Sequence, residues 1–398
     1  MNKSIDRFLP YGRQTIDNED VKAVMEVFNG DYVTQGPLIN EFEESFAEYV
    51  GAKYAVACNS GTSALHIACM ALGLSQGGKL VTSPITFLAT ANCAQFVGAD
   101  TFFVDIDSKT FCISCDKLEQ LLLKKNVDVV VPVHMAGHPA DMGSLFELKN
   151  RFGFHVIEDS CHALGGEYKN TKIGACKFSE MSTFSFHPVK HITTAEGGAV
   201  TTNDKDLYKK LLRFRNHGMH KDSKDFINKD LAFEKDEIPN LWYYEMPEVS
   251  HNYRITDIQC ALGKSQLKKN NIFVNHRRRI AKEYDQGFKN NIFITTPIEL
   301  DHIKHVYHLY VILIDFENLQ KSRNQVMKEL REHKIGTQVL YIPVHLQPYY
   351  KKKYGFKNGD FKLSEKYYQH CLSIPMFPSL TKDEVDYVIK IINTTISN

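Results

Sequence analysis

The sequence predicts an α/β protein, with a large domain on a mostly parallel sheet followed by a smaller α+β domain. Three observations carry that prediction. Short apolar runs rich in β-branched residues alternate with helical stretches over the first two-thirds of the chain. Near residue 264 the alternation gives way to one long polar helix. A chain of 398 residues, 43% of them hydrophobic, can fill one large core and a second, smaller one.

In chain order, the β-like runs are residues 53–58, 79–82, 127–134, 154–157, 182–186 and 198–202. Strands separated by helices pair in parallel, because each helix returns the chain to the same end of the sheet and covers a face of it. Beyond residue 264 the polar helix leads to a strand at 308–314. A further helix is opened by the capping box Ser322-Arg323-Asn324-Gln325 and stopped near Gly336. The division is therefore drawn as residues 1–263, N-terminal arm included, and 264–398.

Composition narrows the function. Forty-eight basic residues against forty-seven acidic ones leave a net charge of +1, so no global field points to nucleic acid or a membrane surface. The basic runs His276-Arg277-Arg278-Arg279 and Lys351-Lys352-Lys353 read as solvated surface. No apolar run approaches the roughly 20 residues that span a bilayer, and the first residues lack a signal-like apolar core. A cytoplasmic protein is expected, and nine scattered cysteines suit reduced thiols. Cys112 and Cys115 form one CxxC with no second pair at zinc-site spacing, so no metal is expected. The stretch from Gly73 to Lys79 imitates a phosphate-binding P-loop but continues with Leu80 where Ser or Thr is required.

Three stretches carry chemistry. Asn59-Ser60-Gly61-Thr62-Ser63 follows a strand and opens a helix, so free N–H groups, the helix dipole and the hydroxyls of Thr62 and Ser63 can cup a phosphate. The same residues also read as a plain N-cap. Asp159 ends the strand FHVIED, at the end of a parallel sheet where ligands bind, although it could simply cap the next segment. Lys190 lies in SFHPVKHITTAEGG, where Pro188 fixes backbone and the pair Gly197-Gly198 permits positive φ, as in a loop shaped to hold an amine.

Taken together, these are the groups a pyridoxal 5′-phosphate enzyme needs. Lys190 supplies the amine for an imine with the cofactor aldehyde and later a base. Asp159 keeps the pyridine nitrogen protonated, and the Gly61-Thr62 turn holds the phosphate. Phe87, in Ser83-Pro84-Ile85-Thr86-Phe87, can cover the ring face by stacking or serve as an ordinary core aromatic.

The motifs NSGTSALH, SPITFLATAN, EDSCHALGGEY, SFHPVKHITTAEGGAVTTND and NYRITDIQCALG resemble those of the DegT/StrS-type nucleotide-sugar aminotransferases, over nearly the whole chain. The resemblance implies the PLP-dependent fold type I, in which a mostly parallel seven-stranded sheet domain precedes a smaller C-terminal α+β domain. It also implies a homodimer with active sites at the subunit interface. By the same resemblance Lys190 anchors the cofactor, Asp159 pairs with its ring nitrogen and His162 lies near the ring. Gly61, Thr62 and Ser185 are implied around the phosphate, with Asn252 reaching in from the partner subunit, while Tyr11, Thr34 and Tyr341 line the sugar pocket. Relatives that remove a sugar hydroxyl carry histidine in place of the lysine; Lys190 therefore implies transamination.

Within the family, FLPYGRQTIDNEDVKAV, DYVTQGPLINEFEE and WYYEMPEVSHNYRITDIQ look most like the branch serving pseudaminic acid biosynthesis. That branch aminates C4 of a UDP-linked 4-keto-6-deoxy-N-acetylhexosamine with L-glutamate as donor. Two alternatives stand beside it. One is a C4 aminotransferase for another UDP-, GDP- or dTDP-linked ketosugar, and the other is a cofactor-binding regulatory protein without turnover.

Overall fold

The computed structural model describes residues 5–397. Its central sheet has seven strands in the spatial order Tyr54–Cys58, Gly198–Thr202, Met181–Ser185, His155–Asp159, Val129–Val131, Lys79–Thr82, Asp100–Phe103. All neighbouring pairs are parallel except those made by Gly198–Thr202, which runs antiparallel to both its neighbours. Asp100–Phe103 is not among the β-like runs of the sequence. It is an edge strand, DTFF, that opens on an acid and has one β-branched residue, Thr101, so it does not read as an apolar β run.

The sheet is buried on both faces because adjacent residues point to opposite sides. Val130 and Val156 pack into one core cluster with Leu118 and Leu145, whereas Val129, Val131 and Ile157 pack into another with Leu65 and Ile67. Near the opposite edge, Phe42, Phe46, Phe184 and Phe186 form a knot of rings with centroids 5.0 to 5.9 Å apart. This knot seats the helix Pro37–Val50 on the sheet.

The long helix Asp257–Phe288 opens with a capping box between Thr256 and Gln259 and passes residues 263 and 264 without a break. Both units share it. Its first turns pack on helices Asn18–Phe28 and Pro37–Val50, and Lys382–Thr395 packs on it further along. Buried Asp257 caps a second helix in trans. Its carboxylate accepts the N–H groups of Gly36 at 2.7 Å and Leu38 at 3.1 Å, where Gly36 has no side chain to cap its own helix.

The basic run in this helix is not all solvated surface, contrary to expectation. Arg277 is fully buried and donates to three backbone carbonyls, because at that turn the helix crosses between the two units. The second unit holds a three-stranded antiparallel sheet, Ile294–Thr295, Tyr310–Ile314 and Cys371–Ile374, with its own apolar core. The capping box at Ser322 opens the helix Arg323–Glu332. Chain reversal after it is made by Lys334 at φ 61°, two residues before Gly336. Gly336 is instead a point of close approach, since a Cβ there would stand 2.8 Å from the Phe8 ring. The loop from Gly73 to Lys79 leads into a strand instead of a helix, so it offers no helix N-terminus to a phosphate. No helix among the described residues is long and apolar enough to cross a membrane, and none of their His, Cys, Asp and Glu side chains form a group of three that could hold a metal.

Candidate active site

A cavity of about 350 Å³ opens beyond the carboxyl ends of strands His155–Asp159 and Met181–Ser185. Residues 308–309 and 340–341 close it from the second unit. That is where ligands bind an open parallel sheet, and the volume suits a small organic group. The cavity brings together Lys190, Asp159, His162, Gly61, Thr62, Phe87, Ser185, Tyr11 and Tyr341. Thr34 and Asn252 lie outside it, exposed on the same chain. Thr34 bridges to Thr256, and the Asn252 carbonyl accepts from Asn59 Nδ2.

The expected phosphate cup lies at the start of helix Gly61–Ala71. Ser60 is its N-cap and binds the Ser63 N–H, which leaves the N–H groups of Gly61 and Thr62 outside the ladder and facing the cavity end. The Ser63 hydroxyl is not part of the cup. It is buried within the capping box, on Asn59 Oδ1 at 2.7 Å and the Ser60 carbonyl at 2.8 Å, so of the Thr62 and Ser63 hydroxyls that of Thr62 alone lines the cavity.

Lys190 sits in a loop stitched by short-range bonds. Phe186 N donates to the Gly197 carbonyl at 2.8 Å, Thr194 N to the Phe186 carbonyl at 3.0 Å, and Lys190 N to the His187 carbonyl at 2.9 Å. Gly197 and Gly198 do not take positive φ as expected; Ala195 does, at 65°. The two glycines are needed for space. A Cβ on Gly197 would stand 2.1 Å from Thr194 Oγ1, and one on Gly198 would stand 2.4 Å from the Ser60 carbonyl oxygen. The half-buried Lys190 amine is held below the ordinary lysine value by desolvation, against the opposing pull of Cys161 and Asp159.

Asp159 is aimed by two donors. Thr90 Oγ1 reaches Oδ2 at 2.6 Å, and Cys161 N reaches Oδ1 at 3.1 Å. Sequence reasoning missed Thr90, although Thr86 and Thr90 stand four apart where the helix Leu88–Phe96 begins, a spacing that places side chains on one face. Buried His162 has Nε2 in hydrogen-bond contact with Tyr341 Oη, 3.1 Å away, and its ring packs 4.4 Å from that of His308. Burial drives the His162 imidazole well below its usual pKa, with Lys190 adding to the effect. It also pushes the Tyr341 phenol up, so both groups are neutral at pH 7. His308 carried no signal in the sequence because it arrives from the other unit. Phe87 is 56% exposed and lines the cavity, with its ring 6.1 Å from that of Tyr341, and is no core aromatic.

The DegT/DnrJ/EryC1/StrS aminotransferase family profile matches residues 14–393. The chain is 37% identical over 385 residues to a UDP-4-amino-4,6-dideoxy-N-acetyl-beta-L-altrosamine transaminase of Campylobacter jejuni subsp. jejuni serotype O:2, covering 96% of this chain and 95% of that one. Its fold matches Helicobacter pylori PseC, an aminotransferase involved in the biosynthesis of pseudaminic acid, with TM-score 0.88, 33% identity and coverage of 98% and 99%. It also matches the PLP form of Spr1654 from Streptococcus pneumoniae, named as a sugar aminotransferase, with TM-score 0.86, 26% identity and 98% coverage of both chains.

The cavity itself fits that cofactor. Gly61 is packed so that a Cβ would stand 2.8 Å from Ser185 Cβ, which leaves bare backbone turned to an anion. Lys190 is the single Lys or Arg in the lining among the described residues, and buried His162 Nδ1 has no partner among them. One amine, one aimed carboxylate and an N–H cup suit a phosphorylated pyridine aldehyde. With the profile spanning the chain and the site agreeing with it, the protein belongs to the DegT/DnrJ/EryC1/StrS aminotransferase family, enzymes that use pyridoxal 5′-phosphate.

Proposed function

We propose that the enzyme moves an amino group from L-glutamate to C4 of a UDP-linked 4-keto-6-deoxy-N-acetylhexosamine, UDP-2-acetamido-2,6-dideoxy-β-L-arabino-hex-4-ulose, in pseudaminic acid biosynthesis. The observation that carries the chemistry is Lys190 beside an aimed Asp159 and the Gly61–Thr62 cup in one cavity. Support for the substrate comes from a Campylobacter relative named for the aminated UDP sugar and a Helicobacter one named for the pathway.

When bound, pyridoxal phosphate supplies an electron sink for a carbon that is losing a proton. The chain's own groups do the rest. Asp159 pairs with the ring nitrogen, and the N–H groups of Gly61 and Thr62 hold the phosphate together with Ser185. Lys190 Nζ, freed by the incoming amine, takes the proton from Cα of glutamate and in the return half gives one to C4 of the sugar. Phe87 and His162 flank the ring, and Tyr11 and Tyr341 border the sugar.

Thr34 and Asn252 fit this scheme when two copies pair, each lending them to the other's cavity. Shortly before Asn252 in the chain, Leu241 is 97% exposed, Val249 77% and Trp242 71%, apolar side chains that a partner subunit would cover. We place the enzyme in the cytoplasm, where its nine cysteines, all free thiols, stay reduced.

The test is a panel of UDP-, GDP- and dTDP-linked 4-ketosugars offered with L-glutamate, with product configuration read by NMR. Amination of the UDP sugar at C4 is expected. A strong preference for a dTDP sugar overturns the pathway, and absence of any glutamate half-reaction overturns the activity.

A further inference from the structure

Arg277 has no exposed surface and forms no ion pair among the described residues. Its Nη1 donates to the carbonyls of Met376 at 2.8 Å, His308 at 3.1 Å and Tyr307 at 3.3 Å, while Nε and Nη2 have no partner among the described residues. Burial lowers its pKa to about 9, so it is still cationic at neutral pH. A buried cation with idle donors is costly, and apolar side chains of similar volume often replace buried charges without loss of stability. Its retention therefore needs a reason other than packing.

The reason lies in what it grips. Residues 306–308 run from the second unit to the wall of the cavity. They are fixed from the other side too. Val306 N donates to the Gly137 carbonyl at 3.1 Å, and His191 Nε2, next to Lys190 in sequence, stands 3.4 Å from the Val306 carbonyl oxygen. Gly137 is at φ 98°, and a Cβ there would stand 2.9 Å from both His308 N and the His162 carbonyl oxygen. In this crowded junction the His308 ring packs 4.4 Å from His162, inclined by 34°, and 5.5 Å from His191.

We propose that Arg277 is a positioning residue: by holding the carbonyls of Tyr307 and His308 it fixes the His308 ring as the plate against which His162 rests, and so sets how His162 meets the cofactor ring. Only the last step rests on the functional reading above. The charge of Arg277 acts in the same sense. The groups facing His308 are His162, Lys190, His191 and Arg277, and together with burial they hold its imidazole well below the usual pKa. Removing the cation at 277 raises the pH at which His308 titrates; a lysine there keeps it low.

The experiment uses the full chain labelled with 15N-histidine, with His162 and His308 assigned from His162→Gln and His308→Gln. In the folded apoprotein, Arg277→Met is expected to displace the His162 signals and to move the His308 titration to higher pH, and Arg277→Lys to restore both. In the loaded enzyme, Arg277→Met lowers kcat about tenfold or more while KM for either substrate stays within about twofold, because Arg277 touches neither. His162 signals that coincide with wild type in folded Arg277→Met overturn the proposal. Should that variant not fold, His308→Leu decides: a displaced His162 supports the plate, and an undisturbed one overturns it. Failure to aminate any ketosugar refutes the functional reading alone, since the apoprotein spectra stand without it.

Discussion

Thr90 Oγ1 lies 2.6 Å from Asp159 Oδ2 and 2.7 Å from Thr86 Oγ1, so the carboxylate that lines the cavity hangs from a two-hydroxyl chain on a neighbouring helix start. On its other oxygen the carboxylate accepts the Cys161 N–H at 3.1 Å. Removing the Thr90 hydroxyl frees Oδ2 and lets the carboxylate turn about its contact with Cys161.

Thr90→Val keeps the shape and deletes the donor. A hydrogen bond to a charged acceptor is worth about 2 kcal/mol, roughly thirtyfold in a binding constant. The dissociation constant for pyridoxal phosphate, measured by absorbance, is expected to rise by about that factor. Thr86→Val, one step removed, should do less. Unchanged affinity in Thr90→Val would show that Asp159 is aimed by something else.

Lys190 makes a prediction about pH. Desolvation favours its neutral amine over the charged one, so the amine loses its proton at lower pH than an ordinary lysine. The rate at which apoprotein captures the cofactor aldehyde covalently should rise with pH and level off below the ordinary lysine pKa of about 10.4. Asp159 pulls the other way, so Asp159→Asn is expected to move the midpoint lower still. Stopped-flow absorbance reads both. A wild-type midpoint at or above the free-lysine value contradicts the desolvation of the amine.

The alternation of strands and helices, the capping box at Ser322 and the loop around Lys190 follow local rules, which is why they could be read along the chain. The sequence did not disclose contacts between distant elements. His308 packs against His162 across the two units, and Arg277 looks like a surface residue until the helix that carries it is seen between them. Gly197 and Gly198 were legible as necessary but not for the right reason. Glycine signals either positive φ or close approach, and only the fold brings Ser60 up to Gly198. Ser63 misled in the same way, because a hydroxyl at N3 serves the capping box as readily as a ligand.

Glu43 and Arg215 bear on stability. Buried Glu43 accepts the Ala57 N–H at 2.7 Å and pairs with Arg215, which also donates to the Ala57 carbonyl at 3.2 Å. This pair ties helix Pro37–Val50 to strand Tyr54–Cys58 and to helix Lys205–Arg215. Glu43→Ala leaves the Arg215 cation without its counter-ion and the Ala57 N–H without an acceptor, and is expected to lower unfolding stability by about 3 kcal/mol. Replacing both residues by methionine should recover most of it, since neither charge is then stranded. Urea denaturation gives the answer, and equal midpoints for Glu43→Ala and wild type would dismiss the pair.

Gly61 offers the sharpest separation of fold from function. A Cβ there would stand 2.8 Å from Ser185 Cβ and 3.4 Å from Ser185 Cα, so the helix start and the strand end must part. Gly61→Ala should therefore cost about 1–3 kcal/mol of stability. It should also weaken pyridoxal phosphate binding at least tenfold, by about 1.4 kcal/mol or more, as the N–H cup is pulled away from Ser185. Gly73→Ala is the matched control. That glycine has φ 78° and nothing within 4 Å of a Cβ, so alanine is strained by about 1–2 kcal/mol but disturbs no neighbour. Its stability should fall while cofactor affinity is unchanged. Ser185→Gly placed on Gly61→Ala makes room for the methyl and is expected to return part of the affinity. If Gly73→Ala weakens binding as much as Gly61→Ala does, cofactor retention tracks global stability, and the cup at the helix start has no separate role.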